Sequence, residues 1–174
     1  MKARFEQLAA YNRWANARLY EAALALSDED YRRDVGAFFR SLHGTLNHLL
    51  VADRIWMKRL TGEGEAPERV SAILHDDLRQ LALARADEDD RIVRYIASLD
   101  EVALGGNLKY ATTSGKPFEQ QRADVLSHFF NHQTHHRGQA HTILSIVTSK
   151  EPPSLDLLQM QRGIAAPDLR ALAK

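Results

Sequence analysis

Cysteine is absent from this 174-residue sequence. The protein therefore has no disulfide bonds, no thiolate metal ligands and no cysteine nucleophile, and we predict a location in the reducing cytoplasm. An excess of charge of either sign is also absent, because 23 lysines and arginines balance 23 aspartates and glutamates. Without a basic block, the sequence predicts neither nucleic acid nor an anionic membrane as a partner.

Long hydrophobic runs are missing as well. No apolar run is long enough to span a bilayer, and the N-terminus has no signal-peptide core. The hydrophobic fraction of 44% and the charged fraction of 26% are typical of a soluble globular protein. The length suits one domain, residues 1–174, with one core.

Several catalytic motifs are absent, which weakens the corresponding classes of enzyme. The sequence has no His-Glu-x-x-His, which is the motif of zincin proteases, and no glutamate three residues before a histidine, as a di-iron bundle requires. The glycines form no phosphate-binding loop between a strand and a helix. Ser127 precedes His128 and Ser145 follows His141 by one helical turn, but no nucleophile elbow surrounds either serine.

Histidine is abundant in one segment, 128–141, which contains five of the eight histidines. On a helix, four of them share an arc of about 100° on one face, whereas His141 points away: His128, His132, His135 and His136. The apolar face of the helix overlaps this arc, and His132 and His136 lie nearest its middle. Neutral imidazoles at i and i+4 can hold a divalent metal, although histidines that line a wet rim are the alternative.

A second helix is predicted at about 38–60. It has a narrow polar stripe, which predicts that His43 is solvated: Arg40, His43, Asn47, Arg54 and Lys58. His48 lies on the broad apolar side, where an imidazole needs a hydrogen bond, a carboxylate or a metal as its partner. Asp53 is also displaced toward the apolar side, which predicts either a role beside a metal or a structural salt bridge.

Further helices are predicted at about 2–26, 71–99 and 120–148, with short helices after Ser27 and at 154–162. Residues 100–118 predict a small hairpin or loop. The four long helices predict an all-α, up-down four-helix bundle with sites built from facing helices. The acidic run Asp87–Asp90 is predicted to be a solvated patch, and His75 a surface residue.

Together these motifs resemble the DinB family of four-helix-bundle proteins (DinB/YfiT-like). The resemblance rests first on Asn131–Gln139, which reads NHQTHHRGQ, and on His48 eight residues before Trp56. Tyr11–Asn16 and Ser154–Leu158 are similar to further features of one branch of that family.

The resemblance implies a bundle, commonly dimeric, in which His48, His132 and His136 bind one divalent metal ion. His128 and His135 belong to the same motif but are not the usual ligands. The metal implied is zinc, nickel, iron or manganese, which the sequence does not distinguish. The implied activity is that of a metal-dependent enzyme, a thiol-dependent S-transferase or a hydrolase, acting on a small-molecule substrate with a low-molecular-weight thiol. The alternative is a non-catalytic metal- or ligand-binding stress-response bundle.

Three histidines around one metal favour a catalytic site over a structural one. Structural metal sites usually have four protein ligands, whereas a three-ligand site leaves one position open. At such a position a metal can lower the pKa of water to about 7 or hold a thiol as thiolate.

Overall fold

The computed structural model describes all residues from 1 to 174 and is mainly helical. In chain order its elements are α1 (Lys2–Leu24), α2 (Asp28–Arg32), α3 (Leu42–Thr61), α4 (Leu78–Ser98), α5 (Glu101–Gly105), β1 (Asn107–Ala111), β2 (Pro117–Gln121), α6 (Arg122–Thr148), α7 (Leu157–Gln161) and α8 (Leu169–Leu172). The predicted all-α bundle of four long helices is confirmed, and none of its helices is long and apolar enough to be a membrane span.

The core consists of two apolar clusters, one toward each end of the bundle. One cluster takes residues from the C-terminal halves of α1 and α6 and from the N-terminal halves of α3 and α4, and the other cluster takes the opposite halves. Helices α1 and α6 therefore run in one direction, and α3 and α4 run in the other, so the order along the chain is up-down-down-up rather than strictly alternating as predicted. Each long helix packs against two neighbours, and the order around the bundle is α1, α4, α3, α6.

The segment 62–77 connects the C-terminal end of α3 to the N-terminal end of α4. Because these two helices are parallel, the segment must run back along the length of the bundle. Asn47 of α3 fixes this segment: its Oδ1 accepts hydrogen bonds from the backbone N–H groups of Leu74, at 2.8 Å, and His75, at 3.1 Å. Its Nδ2 donates to the carbonyl of His75, at 3.1 Å. Asn47 is thus fully buried rather than part of a solvated stripe.

Helix α4 begins later than the sequence predicted. The prediction placed its start near residue 71, whereas the helix begins at Leu78, after the side chain of Asp77 accepts a hydrogen bond from the N–H of Gln80 at 2.8 Å. An aspartate at this position satisfies a backbone donor that the first helical turn leaves free. Residues 71–77 belong instead to the returning segment.

A layer of buried polar side chains separates the two apolar clusters and is called here the buried polar layer: Asn12, Asn16, Asp53, Arg85, Asp89, Gln133 and Arg137. Arg85 lies at its centre, with Nη1 2.6 Å from Asp53 Oδ2 and Nη2 3.0 Å from Asp89 Oδ1. Two arginines and two aspartates balance each other in charge. The salt-bridge alternative for Asp53 is therefore the one that the structure shows.

The acidic run Asp87–Asp90 is not the solvated patch that the sequence predicted. Asp89 is buried and accepts hydrogen bonds from the amides of Asn12, at 3.1 Å, and Asn16, at 2.9 Å. Glu88 is buried too and pairs with Arg91 at 2.9 Å. Only Asp87 is fully exposed.

The predicted hairpin is present as the antiparallel pair β1 and β2, in which Tyr110 lies opposite Phe118. The short helix α7 lies within the predicted 154–162, and α2 begins after Ser27 as expected. The single-turn helices α5 and α8 were not predicted.

Candidate metal centre

Three imidazoles converge between α3 and α6. His48 comes from α3, and His132 and His136 come from successive turns of α6. One nitrogen of each ring lies within 4.8 Å of the other two, and no cysteine or carboxylate belongs to the group. The structure thus brings together the three histidines that the sequence indicated.

Hydrogen bonds orient two of these rings. His48 Nδ1 donates to the carbonyl oxygen of Val70, on the returning segment 62–77, at 2.7 Å. His136 Nδ1 donates to Oε1 of Gln139 at 2.7 Å. A carbonyl oxygen only accepts hydrogen bonds, so each Nδ1 carries the hydrogen. Each Nε2 therefore keeps a lone pair that is free to bind a metal ion.

The two lone pairs face each other. His48 Nε2 and His136 Nε2 are 3.2 Å apart, and two acceptors at this distance repel unless a cation lies between them. Two ligands of a tetrahedral metal with bonds of about 2.0–2.1 Å would be about 3.3 Å apart. The observed spacing therefore fits a metal-ligand pair, and the donor set suits a divalent transition metal.

Burial keeps these histidines neutral. It lowers the pKa of His48 to about 4, and burial together with the neighbouring imidazoles lowers the pKa of His132 to about 3. Burial also lowers the pKa of His136. The neutral imidazole is the form that binds a metal, so the site is ready for one at neutral pH.

Phe39 covers one face of the His48 ring, with the ring centroids 3.9 Å apart and the planes 17° from parallel. This contact was missed, because the sequence predicted a helix from residue 38, whereas α3 begins at Leu42. Gly44 makes the contact possible: a Cβ there would lie 2.1 Å from the Phe39 carbonyl oxygen. A glycine one turn before His48 was the available signal.

The remaining histidines of α6 lie outside the three-histidine group. His128 is exposed and lies edge-on to Trp56, with centroids 5.2 Å apart, and His135 is exposed beside Gln139. His141 faces away from the group, with Nε2 3.1 Å from the carbonyl oxygen of Pro153.

His43 is not solvated as the sequence predicted. Its side chain is only 12% exposed, lies edge-on to Tyr31 and places Nε2 3.5 Å from Asp76. Burial is the main cause that lowers its pKa. His75, predicted at the surface, is half-buried where the returning segment meets Asn47.

The fold and this geometry define a class: a four-helix bundle whose facing helices bring together three histidines that could hold a metal ion. A sequence model of the DinB family matches residues 1–163, and the chain belongs to that family. It is similar to Protein DinB of Bacillus subtilis (strain 168), with 25% identity over 142 residues that cover 76% of this chain and 79% of that protein.

Proposed function

We propose that this protein is a metal-dependent enzyme whose metal ion is bound by His48, His132 and His136. The reaction class proposed is thiol-dependent S-transfer or hydrolysis on a small molecule. The observation that carries the proposal is the pair of Nε2 lone pairs 3.2 Å apart, each oriented by a hydrogen bond at the opposite ring nitrogen.

The number of ligands supports catalysis rather than a purely structural role. The group has three histidines and no fourth histidine or carboxylate, so one coordination position is left for a substrate. A zinc, nickel, iron or manganese ion bound there would act as a Lewis acid and would lower the pKa of a bound water or thiol.

The surrounding residues hold the ligands in place. The Val70 carbonyl and the Gln139 amide fix the orientation of two imidazole rings. Phe39 keeps water from one face of His48. Because His132 and His136 are only half-buried, a small molecule can approach from their side.

A low-molecular-weight thiol is the proposed co-substrate, because the chain has no cysteine to supply a sulfur nucleophile. The proposed location in the reducing cytoplasm would keep such a thiol reduced. We also propose a homodimer, on the basis of the family resemblance. A non-catalytic metal-binding bundle is the second candidate and would bind the same metal without turnover.

Metal content tests the site directly. We expect the purified wild type to bind about one divalent metal per chain and His132→Ala to lose most of it. His135→Ala is the matched control, because it removes a neighbouring but exposed histidine from the same helix, and it should keep the metal. Full metal content in His132→Ala would contradict the assignment. His132→Asn, which is closer in shape, replaces it if the alanine variant does not fold.

Turnover separates the two candidate functions. The metal-loaded wild type is assayed with a panel of low-molecular-weight thiols and electrophiles, and the metal-depleted protein serves as the blank. Thiol consumption that needs both metal and His132 would support the enzyme. Metal binding without turnover of any thiol or ester would favour the non-catalytic bundle.

A further inference from the structure

A cavity lies on the same face of α3 as His48, toward the C-terminal end of that helix. His48, Ala52, Ile55 and Arg59 recur at intervals of four, three and four residues, so they share one face of the helix. His48 and Arg59 are eleven residues apart, which corresponds to about 16 Å along the helix axis. The cavity has a volume of about 560 Å³, and Ile55 and Arg59 line it together with 66–68 and 111–113.

Arg59 is held rigidly but has no anionic partner. Its guanidinium lies over the ring of Trp56, 4.6 Å from the centroid, and near the ring of Tyr110, at 5.6 Å. Glu68 lines the same cavity, but no salt bridge joins it to Arg59. An arginine stacked on aromatic rings presents a planar set of donors that matches a carboxylate or phosphate, and its side chain is already ordered.

Aromatic side chains connect this guanidinium to the metal centre. Trp56 contacts His128, whose ring centroid is 5.9 Å from that of His132. The returning segment 62–77 borders both places, since it contributes residues 66–68 to the cavity and the Val70 carbonyl to His48. A molecule that contacts both Arg59 and the three histidines would have to be elongated, with its two binding groups about 16 Å apart.

We propose that this cavity is an anion-binding subsite of the metal centre, in which Arg59 binds a carboxylate or phosphate group of the small-molecule substrate. The link to the metal rests on the proposed function, whereas the binding of an anion by Arg59 does not. Lys58 also lines this cavity and adds a second positive charge, whereas Glu68 contributes one negative charge. The cavity keeps a net positive charge, which suits a ligand with one or two anionic groups.

Anion binding is measured first, by calorimetric titration of the metal-depleted full-length protein with glutarate and, separately, with inorganic phosphate. We expect saturable binding of at least one of them, weakened about tenfold or more in Arg59→Gln, since a charge-assisted hydrogen bond is lost. Arg54→Gln is the matched control, because it removes the same charge from the same helix outside the cavity, and its affinity should be that of the wild type.

Three results would overturn the subsite. These are no saturable binding of either anion, wild-type affinity in Arg59→Gln, or an equal loss in both variants. Arg59→Lys, which keeps the charge but not the planar fork, should bind with intermediate affinity, and it replaces the glutamine variant if that variant does not fold.

The connection to the metal is tested with ω-mercaptoalkanoates of increasing length on the cobalt-loaded protein. Binding of the thiolate to cobalt is followed by the absorption band of the cobalt–thiolate bond. Simple alkanethiols of equal length, which lack the carboxylate, are the controls. We expect a mercaptoalkanoate to bind more tightly than the matching alkanethiol only when its chain is long enough to reach from the metal to Arg59. The Arg59→Gln variant should lose this difference in affinity. No carboxylate advantage in the wild type would refute the connection. No cobalt absorption with any thiol would instead count against the proposed function and leave the calorimetric result intact.

Discussion

At the scale of single residues, Gly44 shows how the surroundings of the three-histidine group depend on a missing side chain. The Phe39 carbonyl oxygen lies 2.1 Å from the position that a Cβ of residue 44 would occupy, and the Phe39 ring stacks on His48. Gly138, also within a helix, has no atom within 4 Å of its Cβ position. Alanine substitutions at these two glycines are therefore expected to change the free energy of unfolding in opposite directions.

Gly44→Ala is expected to reduce the free energy of unfolding by about 1–3 kcal/mol, because the new methyl group must displace backbone. Gly138→Ala should raise it by up to about 1 kcal/mol, since alanine has the higher helix propensity and space is free. Urea denaturation of both variants checks the pair. Equal effects of the two substitutions would show that the contact with Phe39 is not tight.

The lowered pKa values of the histidines predict how pH affects the metal-free protein. In the unfolded chain an imidazole titrates near 6.5, whereas in the folded protein His48 titrates near 4 and His132 near 3. Below about pH 6.5 the unfolded state binds more protons, so these groups lower stability as the pH falls toward 4. We expect the urea midpoint to drop between pH 7.5 and pH 5 in the presence of a chelator.

His132→Asn isolates this contribution, because it removes one of the titrating groups. The drop in midpoint between the two pH values should be smaller in this variant than in the wild type. An identical drop would mean that other groups cause the pH dependence.

The residue scale also shows what the sequence could reveal about the site. The four-residue spacing of His132 and His136 on an apolar face was enough to select them, and His48 was recognised on the apolar side of its helix. His43 was misjudged because a helical wheel shows only one helix, whereas Tyr31 and Asp76 cover this side chain from elsewhere in the chain.

At the scale of secondary-structure elements, the buried polar layer joins all four long helices. Arg85 of α4 connects Asp53 of α3 to Asp89, and Asp89 accepts from the two asparagines of α1. From α6, Gln133 donates to Asp53, and Arg137 donates to Asn12. The helix that carries His132 is thus hydrogen-bonded to the helix that carries His48.

Arg85→Met is expected to lower the free energy of unfolding by about 3–5 kcal/mol, because it leaves Asp53 and Asp89 buried without their cation. Arg13→Met is the control: it breaks a pair with Asp90 in which the arginine is 54% exposed, and such surface pairs contribute about 0–1 kcal/mol. Chemical denaturation measures both. A loss below about 1 kcal/mol in Arg85→Met would show that the layer is not held by this ion pair.

Element boundaries were less predictable than element types. The start of α4 was placed seven residues too early, because Leu74 continues the apolar periodicity although its N–H is bound by Asn47. The acidic run was assigned to solvent for a related reason. Its burial depends on asparagines of α1, and nothing in the local sequence of α4 identifies those partners.

At the scale of the whole molecule, a bound metal would connect α3 to α6. A ligand that binds only the folded state stabilises it by mass action, so chelation should lower the melting temperature. The two apolar clusters do not involve the metal, so helicity should persist. Circular dichroism with and without a chelator, at room temperature and during heating, tests this. Complete loss of helicity at room temperature would contradict it.

The homodimer is a further prediction at this scale. Light scattering at micromolar concentration should give about twice the chain mass of 19.7 kDa. Measurements on His132→Ala as well show whether association needs the metal. A mass of one chain at all concentrations would refute the dimer.

The buried polar layer has a consequence for helix register. Sliding α6 by one turn, about 5.4 Å, would carry Gln133 and Arg137 into an apolar cluster, at a high desolvation cost. A single buried asparagine fixes the alignment of coiled-coil helices in the same manner. His132 immediately precedes Gln133 and His136 immediately precedes Arg137, so fixing those two side chains also fixes the height of both imidazoles opposite His48. The three imidazoles are therefore aligned by the packing of the bundle itself, without the help of a metal.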